Sequence, residues 1–148
     1  VGRIRLTFEN AAITTDIMVG FAGETHDEFN QSLNFAKEIG FAAAHVFAYS
    51  RRAGTVAYNM KEQVEKQEKS RRSKEMIAVT KQSEVDFLSS ALNTVQEVLF
   101  ETKDASGFYR GFTSNYCQVK VKSDKNLTGK IISLKITDLE GTCLIGKI

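Results

Sequence analysis

Apolar and polar positions along the chain change their period twice, and each period indicates a different secondary structure. Residues 12–20 form a short apolar run without polar alternation in its second half, which is typical of a strand covered on both faces. Thr25 and Glu28 have the spacing of a capping box, and helical periodicity then continues to Gly40, a favourable helix end. A second apolar run at residues 43–49 completes a β-α-β pattern, which predicts parallel strands.

Beyond residue 60 the chain becomes polar and helix-favouring, and near Thr94 the period changes to two. Residues 61–93 carry many Lys, Arg and Glu beside one apolar stripe, which predicts one or two long helices that connect two units. From Thr94 onward we expect five strands, at residues 95–101, 107–113, 116–122, 131–138 and 143–148. Five short strands favour a small antiparallel barrel, a shape often used to bind nucleic acid.

Composition limits the classes of protein without choosing one. The chain has 148 residues, 42% of them hydrophobic and 26% charged, and no apolar run approaches the roughly 20 residues of a membrane span. We therefore expect a soluble, cytoplasmic protein, and the absence of an initiator Met indicates that it belongs to a longer one. The net charge is only +2. Its basic excess lies in the C-terminal segment, which suits contact with phosphate, although a lysine-edged β-domain would show the same bias.

The two cysteines, Cys117 and Cys143, are far apart and have no neighbouring His or Cys. This spacing matches no metal site, so we expect no metal-ligating residues in the chain. Both side chains are expected to be buried, reduced thiols.

Two motifs resemble one family of enzymes. Residues 13–25 read ITTDIMVGFAGET, which resembles the late-barrel strand and loop TTDxxVGFPGET of the radical S-adenosylmethionine methylthiotransferases. Residues 45–57 read HVFAYSRRAGTVA and are similar to the next strand of that family, HVFPYSxRxGTxA. Residues 111–121 and the end of the chain are similar to the TRAM domain that closes these enzymes. The resemblance covers nearly the whole chain.

The resemblance implies a fold of the class α/β followed by all-β. Residues 1–60 would be the C-terminal part of a parallel, TIM-like radical S-adenosylmethionine barrel. Residues 61–93 would be a helical connector, and residues 94–148 a TRAM-type RNA-binding β-barrel.

The resemblance also implies a function, which is the addition of a methylthio group to N6-threonylcarbamoyladenosine next to the anticodon of tRNA. The cofactors would be S-adenosyl-L-methionine and [4Fe-4S] clusters, and the partner would be the tRNA anticodon stem-loop. The family's CxxxCxxC cluster loop is absent here, so we expect the chain alone to be inactive without the missing N-terminal part. Two alternatives stay open, a stand-alone TRAM-type RNA-binding module and a methylthiotransferase of another branch, which acts on isopentenyl-adenosine in tRNA or on a ribosomal protein.

By the same resemblance, cofactor-binding residues lie on the two motif loops and the strand before them. They are Asp16, Val19, Gly20, Gly23, Glu24, Ser50, Arg52, Gly54 and Thr55. Val19 is expected to offer an apolar wall to an adenine ring, while Gly20 and Gly23 would allow close approach of a ligand. Glu24 would either order the loop or stabilise the start of the next helix. Arg52 is expected to pair with a carboxylate or phosphate, and a surface salt bridge is its alternative.

The candidate RNA-binding residues belong to the C-terminal strands, where aromatic and basic side chains interleave. They are Arg110, Tyr116, Lys120 and Lys122. Aromatic rings stack on unpaired bases while cations neutralise phosphates. Phe112 is expected to lie in the barrel core instead. For Arg71, Arg72 and Lys74 of the connector we expect a solvated helix face, with direct RNA contact as the alternative.

Overall fold

The computed structural model describes residues 1–148, and the chain divides into two compact units. One unit is Ile13–Glu84, and the other combines Val1–Ala12 with Val85–Ile148. The elements in chain order are α1 (Gly2–Thr7), β1 (Thr14–Val19), α2 (His26–Ile39), β2 (Ala43–Ala48), a 3-10 helix (Val56–Asn59), α3 (Lys66–Ser89), β3 (Val95–Lys103), β4 (Phe108–Thr113), β5 (Gln118–Lys122), β6 (Lys130–Glu140) and β7 (Cys143–Lys147). None of the helices combines the length and the apolar character that crossing a bilayer requires.

The first unit is a β-α-β unit followed by a long helix. Strands β1 and β2 pair in parallel, from Thr14 opposite Ala43 to Val19 opposite Ala48. The predicted start of α2 is confirmed, because the Thr25 hydroxyl accepts from the backbone N–H of Glu28 and the Glu28 carboxylate accepts from that of Thr25. Such a capping box satisfies two otherwise unpaired helix N–H groups.

Helices cover only one face of this two-stranded sheet. Val19 belongs to a core cluster with Phe29 of α2 and Met76 of α3, each no more than 1% exposed. Side chains of a strand alternate between faces, so Asp16 lies on the opposite face, which is exposed. The prediction of a strand covered on both faces is therefore wrong for β1 in this chain.

The second unit contains the predicted small barrel, and it is closed. The strand order is β3-β4-β5-β7-β6, and β6 pairs again with β3. Every pair is antiparallel except β5 with β7, which run parallel. Closure leaves no strand edge without a partner strand. The third barrel strand begins at Gln118, two residues later than expected, because Tyr116 has a positive φ of 65°.

Alternation along the strands decides which side chains fill the barrel. On β4, Tyr109 is buried in the core, and therefore Phe112 lies on the outer face, where it is only partly buried. The expectation that Phe112 belongs to the core is wrong. Cys117 and Cys143 are buried free thiols, as predicted, and burial raises the pKa of both.

Gly111 provides a test of the barrel, because a Cβ built on it would lie 2.1 Å from the backbone carbonyl oxygen of Leu99. Side-chain rotation cannot relieve a clash with backbone. We expect Gly111→Ala to lower the free energy of unfolding by about 2 kcal/mol or more, measured by urea denaturation. Gly2→Ala is the matched control, because nothing lies within 4 Å of its Cβ position. Equal stability of the two variants would contradict the packing of β4 on β3.

Candidate functional site

The loop that follows β1 is closed by one carboxylate. Glu24 Oε2 accepts a hydrogen bond from the backbone N–H of Gly20 at 2.6 Å. The same oxygen accepts from a terminal nitrogen of Arg72 at 2.6 Å, and that nitrogen also donates to the Glu24 carbonyl at 2.9 Å. Of the two roles expected for Glu24, ordering the loop is the one that the structure shows.

Arg72 is buried, so both expectations for this residue are wrong. Its side chain is 6% exposed and that of Glu24 is 14% exposed, which excludes a solvated position and leaves no surface for RNA. The guanidinium lies 5.3 Å from the centroid of the Phe29 ring, and its Nε donates to Glu68 at 2.8 Å. Its neighbour Arg71 instead pairs with Glu68 and Glu75 on the partly exposed side of the helix.

The two loop glycines are required for different reasons. Gly20 has a φ of 72°, and a Cβ on it would lie 2.2 Å from the Cγ of Lys69. The space expected for a ligand beside Gly20 is therefore occupied by α3. Gly23 has a φ of 86°, and its nearest neighbour, the Glu62 carboxylate, is 3.8 Å from the Cβ position. The left-handed backbone thus explains Gly23 without close packing.

Helix α3 also holds the end of β2. The ammonium of Lys69 donates to the carbonyl of Tyr49 at 3.2 Å and lies 5.6 Å from the centre of its ring. The Phe21 and Tyr49 rings pack in a T-shaped arrangement, with centroids 5.0 Å apart. The Tyr49 hydroxyl is buried without a hydrogen-bond partner. Both strand ends are therefore fixed by side chains of one helix.

The second loop, which follows β2, is exposed along its length. Ser50, Arg52, Gly54 and Thr55 all lie at the surface. The Thr55 hydroxyl donates to the Arg52 carbonyl and accepts from the N–H of Tyr58, which caps the 3-10 helix. The Arg52 guanidinium has no partner within the chain, so the surface salt bridge that was its alternative is not formed. Arg51, by contrast, donates to the Tyr58 carbonyl and lies over its ring.

The candidate cofactor residues therefore separate into three groups. Asp16 lies on the uncovered sheet face, and the residues of the two loops lie at the carboxyl edge of the sheet. Val19 is different, because its side chain is 1% exposed within the helix-covered core. It leaves no surface for an adenine ring in this structure.

On the barrel, the four candidate RNA-binding residues differ in accessibility. Arg110 pairs with Asp104 at 2.8 Å. Lys120 pairs with Glu140 at 2.8 Å, and its side chain is only 9% exposed.

Tyr116 and Lys122 are the accessible members of this set. Tyr116 is 85% exposed, and its ring centroid lies 5.9 Å from that of Phe112. Lys122 is exposed, with its ammonium 4.9 Å from the Phe108 ring centroid. An exposed aromatic ring and an exposed cation remain available for a base and a phosphate.

Sequence reasoning missed the role of Arg72, although one signal pointed to it. Arg72, Met76 and Thr80 are all buried and follow one another at intervals of four along α3. Residues at this spacing share one helix face. An arginine in register with a buried stripe indicates a buried guanidinium, which needs a carboxylate partner elsewhere in the chain.

No three His, Cys, Asp or Glu side chains come together as a group able to hold a metal ion.

Glu68 gives the site a dependence on pH. Hydrogen bonds from Arg71 and then Arg72 lower its pKa to about 2. Because the pKa falls on folding, this stabilisation is complete above the pKa of an unfolded glutamate, about 4.3, and is lost as the pH drops towards 2. Urea unfolding of Glu68→Gln should therefore show a smaller loss of stability between pH 5 and pH 3 than the wild type. Glu38→Gln, at an exposed position of α2, is the control. An unchanged pH profile in Glu68→Gln would contradict the arginine contacts.

Comparison with known proteins identifies several relatives of the chain. No protein-family model matches it. A threonylcarbamoyladenosine tRNA methylthiotransferase of Bacillus subtilis is 35% identical over 140 residues, which are 92% of this chain and 31% of that protein. Two tRNA-2-methylthio-N(6)-dimethylallyladenosine synthases, from Natranaerobius thermophilus and Clostridium tetani, are 36% and 37% identical over 150 and 139 residues. They match 100% and 93% of this chain, which covers 33% and 31% of their own lengths.

The chain thus spans about one third of the length of the curated relatives that it matches. The aligned region includes both motif loops and the barrel, because the alignment with the Natranaerobius thermophilus protein covers the whole chain. As the two motifs predicted, the chain is similar over nearly its whole length to tRNA methylthiotransferases, which is consistent with the radical S-adenosylmethionine methylthiotransferase family.

Proposed function

We propose that this chain is the C-terminal third of a tRNA methylthiotransferase and that the complete enzyme acts on N6-threonylcarbamoyladenosine next to the anticodon. The HVF and SRR elements of the second motif favour this substrate. The relatives do not separate the branches, because enzymes named for the two adenosine derivatives are 35% and 36% identical to the chain. The substrate therefore rests on the motif alone.

The position of the two motif loops supports the proposal that this chain binds the cofactor. The loops after β1 and β2 lie at the carboxyl edge of one parallel sheet, where α/β proteins collect their functional groups. On that edge the Arg52 guanidinium is exposed and unpaired. It fits the carboxylate of S-adenosylmethionine, which a guanidinium binds in bidentate fashion. Because Val19 is buried, Met18 and Phe47 of the uncovered face would contact the adenine ring instead.

The residues of this chain form no binding site for a [4Fe-4S] cluster. Cys117 and Cys143 are both buried in the barrel unit, and no group of metal-ligating side chains exists. S-adenosylmethionine and the clusters supply the radical chemistry when they are bound in the complete enzyme. The role that we assign to this chain is to bind and orient the cofactor and to hold the tRNA. We propose that the chain alone is inactive.

For tRNA we propose the outer surface of the barrel, which we interpret as a TRAM domain. Tyr116 and Lys122 would contact the anticodon stem-loop through base stacking and phosphate pairing. Arg110 and Lys120 have partners in the structure, so they would contribute only if those ion pairs opened. A stand-alone RNA-binding module remains the second candidate, because the barrel closes without any strand of the other unit.

The complete polypeptide encoded by the gene that carries this sequence tests the enzymatic function. After anaerobic incubation with tRNA and S-adenosylmethionine, mass spectrometry of the nucleosides should detect methylthiolated threonylcarbamoyladenosine. Arg52→Ala should raise the Kd for S-adenosylmethionine by about tenfold to a hundredfold, because a charge-assisted pair is lost, and should leave tRNA binding unchanged. Lys61→Ala, which removes an exposed cation nine residues further along the chain, is the control.

Each outcome of this experiment has one meaning. A wild-type protein that forms no methylthiolated nucleoside overturns the enzymatic function. Modification of isopentenyl-adenosine instead would correct the substrate. An Arg52→Ala variant with wild-type affinity would refute the role of Arg52.

Binding of tRNA tests the barrel separately. Lys122→Ala should weaken binding and reduce the slope of log K against log salt by about 0.7 to 0.9, the value of one phosphate contact. Tyr116→Ala should weaken binding without changing that slope, because stacking releases no counterions. Lys135→Ala, on β6, which does not pair with β5, is the control. Filter binding at several salt concentrations measures the affinity of all three variants for tRNA. Equal affinity of Lys122→Ala and the wild type would show that the RNA interface lies elsewhere.

A further inference from the structure

Hydrogen bonds of the Glu24 carboxylate, held by Arg72, fix both ends of the loop from Gly20 to Glu24. The Glu24 carboxylate binds the N–H of Gly20, where the loop begins, and Arg72 binds the carboxylate and the carbonyl of Glu24, where the loop ends. A side chain 48 residues further along the chain therefore closes a five-residue loop. Without Arg72, the Glu24 carboxylate would keep only the Gly20 N–H to hold it in place.

Only arginine can make these contacts together. The Nε of Arg72 donates to Glu68 of its own helix, while a terminal nitrogen donates to the Oε2 and to the backbone carbonyl oxygen of Glu24. The fork of the guanidinium is rigid and planar, whereas the ammonium of a lysine is a point charge that presents no such pair of directions. Lysine at this position would keep the positive charge and lose the geometry.

Arg72 cannot itself touch a ligand, because its side chain is 6% exposed. Any influence on a bound molecule must therefore pass through the loop. Because Gly20 is packed against Lys69, a ligand at the carboxyl edge would meet the loop at the more accessible Phe21 and Gly23. A displacement of Glu24 would move these peptide groups as well.

We infer that Arg72 is a positioning residue, which sets the conformation of the Gly20 to Glu24 loop from α3 and thereby sets the affinity for S-adenosylmethionine. The second part of this inference rests on the proposed function. Helix α3, which the sequence predicted only as a connector, is on this view part of the cofactor-side structure. Lys69 acts in the same way on Tyr49, at the end of β2.

Amide hydrogen exchange of the 148-residue chain tests the loop directly. In Arg72→Gln and Arg72→Lys, the amides of Gly20 and Glu24 should exchange at least tenfold faster than in the wild type, while amides of the barrel strands should be unchanged. Arg71→Gln is the matched control, because Arg71 is the adjacent arginine and contacts Glu68 and Glu75 but not the loop. Unchanged exchange at Gly20 in both Arg72 variants would overturn the inference.

The second arm uses the complete polypeptide and separates positioning from mere stability. Arg72→Lys and Arg72→Gln should raise the Kd and the KM for S-adenosylmethionine at least tenfold, with kcat changed less than threefold and the Kd for tRNA within twofold. Arg71→Gln should stay within twofold in every value. A lower Tm with unchanged affinity for S-adenosylmethionine would show a purely structural role and overturn the inference.

Two further outcomes are decisive as well. If Arg72→Gln does not fold, Arg72→Lys decides, because it leaves no buried carboxylate without a cation. A wild-type protein that does not bind S-adenosylmethionine would overturn the proposed function and the affinity half of the inference. In that case, amide exchange at Gly20 still tests whether Arg72 sets the conformation of the loop.

Discussion

The buried guanidinium of Arg72 is the constraint on which the first unit depends. Removing a charge from water costs several kcal/mol, and the cost is offset only when the charge and its hydrogen bonds are matched. Glu24 and Glu68 supply that match here, with a carbonyl and the Phe29 ring completing the surroundings. Because all these partners must be in place together, Arg72 couples the loop after β1 to α3 and, through the Phe29 ring, to α2.

The two units solve the problem of strand edges in different ways. The barrel closes on itself, so each of its strands has two neighbours. Strands β1 and β2 pair only with each other, and their face with Asp16 is exposed together with Met18 and Phe47. Parallel sheets are normally buried on both faces. Under the proposed function, further strands and the cofactor of the complete enzyme would cover this face, and the lengths of the relatives leave room for them.

Local signals in the sequence were sufficient for much of the fold. The Thr25 capping box, the Gly40 end of α2 and the alternation after Thr94 each depend on residues within a few positions of one another. The motif resemblance pointed to a family, and the relatives, which are named as tRNA methylthiotransferases or synthases of methylthiolated adenosine, are consistent with it. The predictions that failed concerned contacts between residues far apart in the sequence, or the alternation of side chains between the two faces of a strand.

Three residues show why those failures occurred. Arg72 has its carboxylate 48 positions away, and a charge run gives no indication of such a partner. Lys120 was expected at an RNA surface, but folding brings Glu140 to its ammonium. Phe112 was placed in the core because it is aromatic, whereas alternation from the buried Tyr109 puts it on the outer face.

A double-mutant cycle between Glu24 and Arg72 tests the central claim most directly. The free energies of unfolding of Glu24→Gln, Arg72→Gln and the double variant would be compared with that of the wild type by urea denaturation. A buried pair with shared hydrogen bonds predicts that the two substitutions are coupled by about 1.5 kcal/mol or more. Additive effects, within about 0.5 kcal/mol, would contradict the account, because they would show that Arg72 does not hold the loop through Glu24.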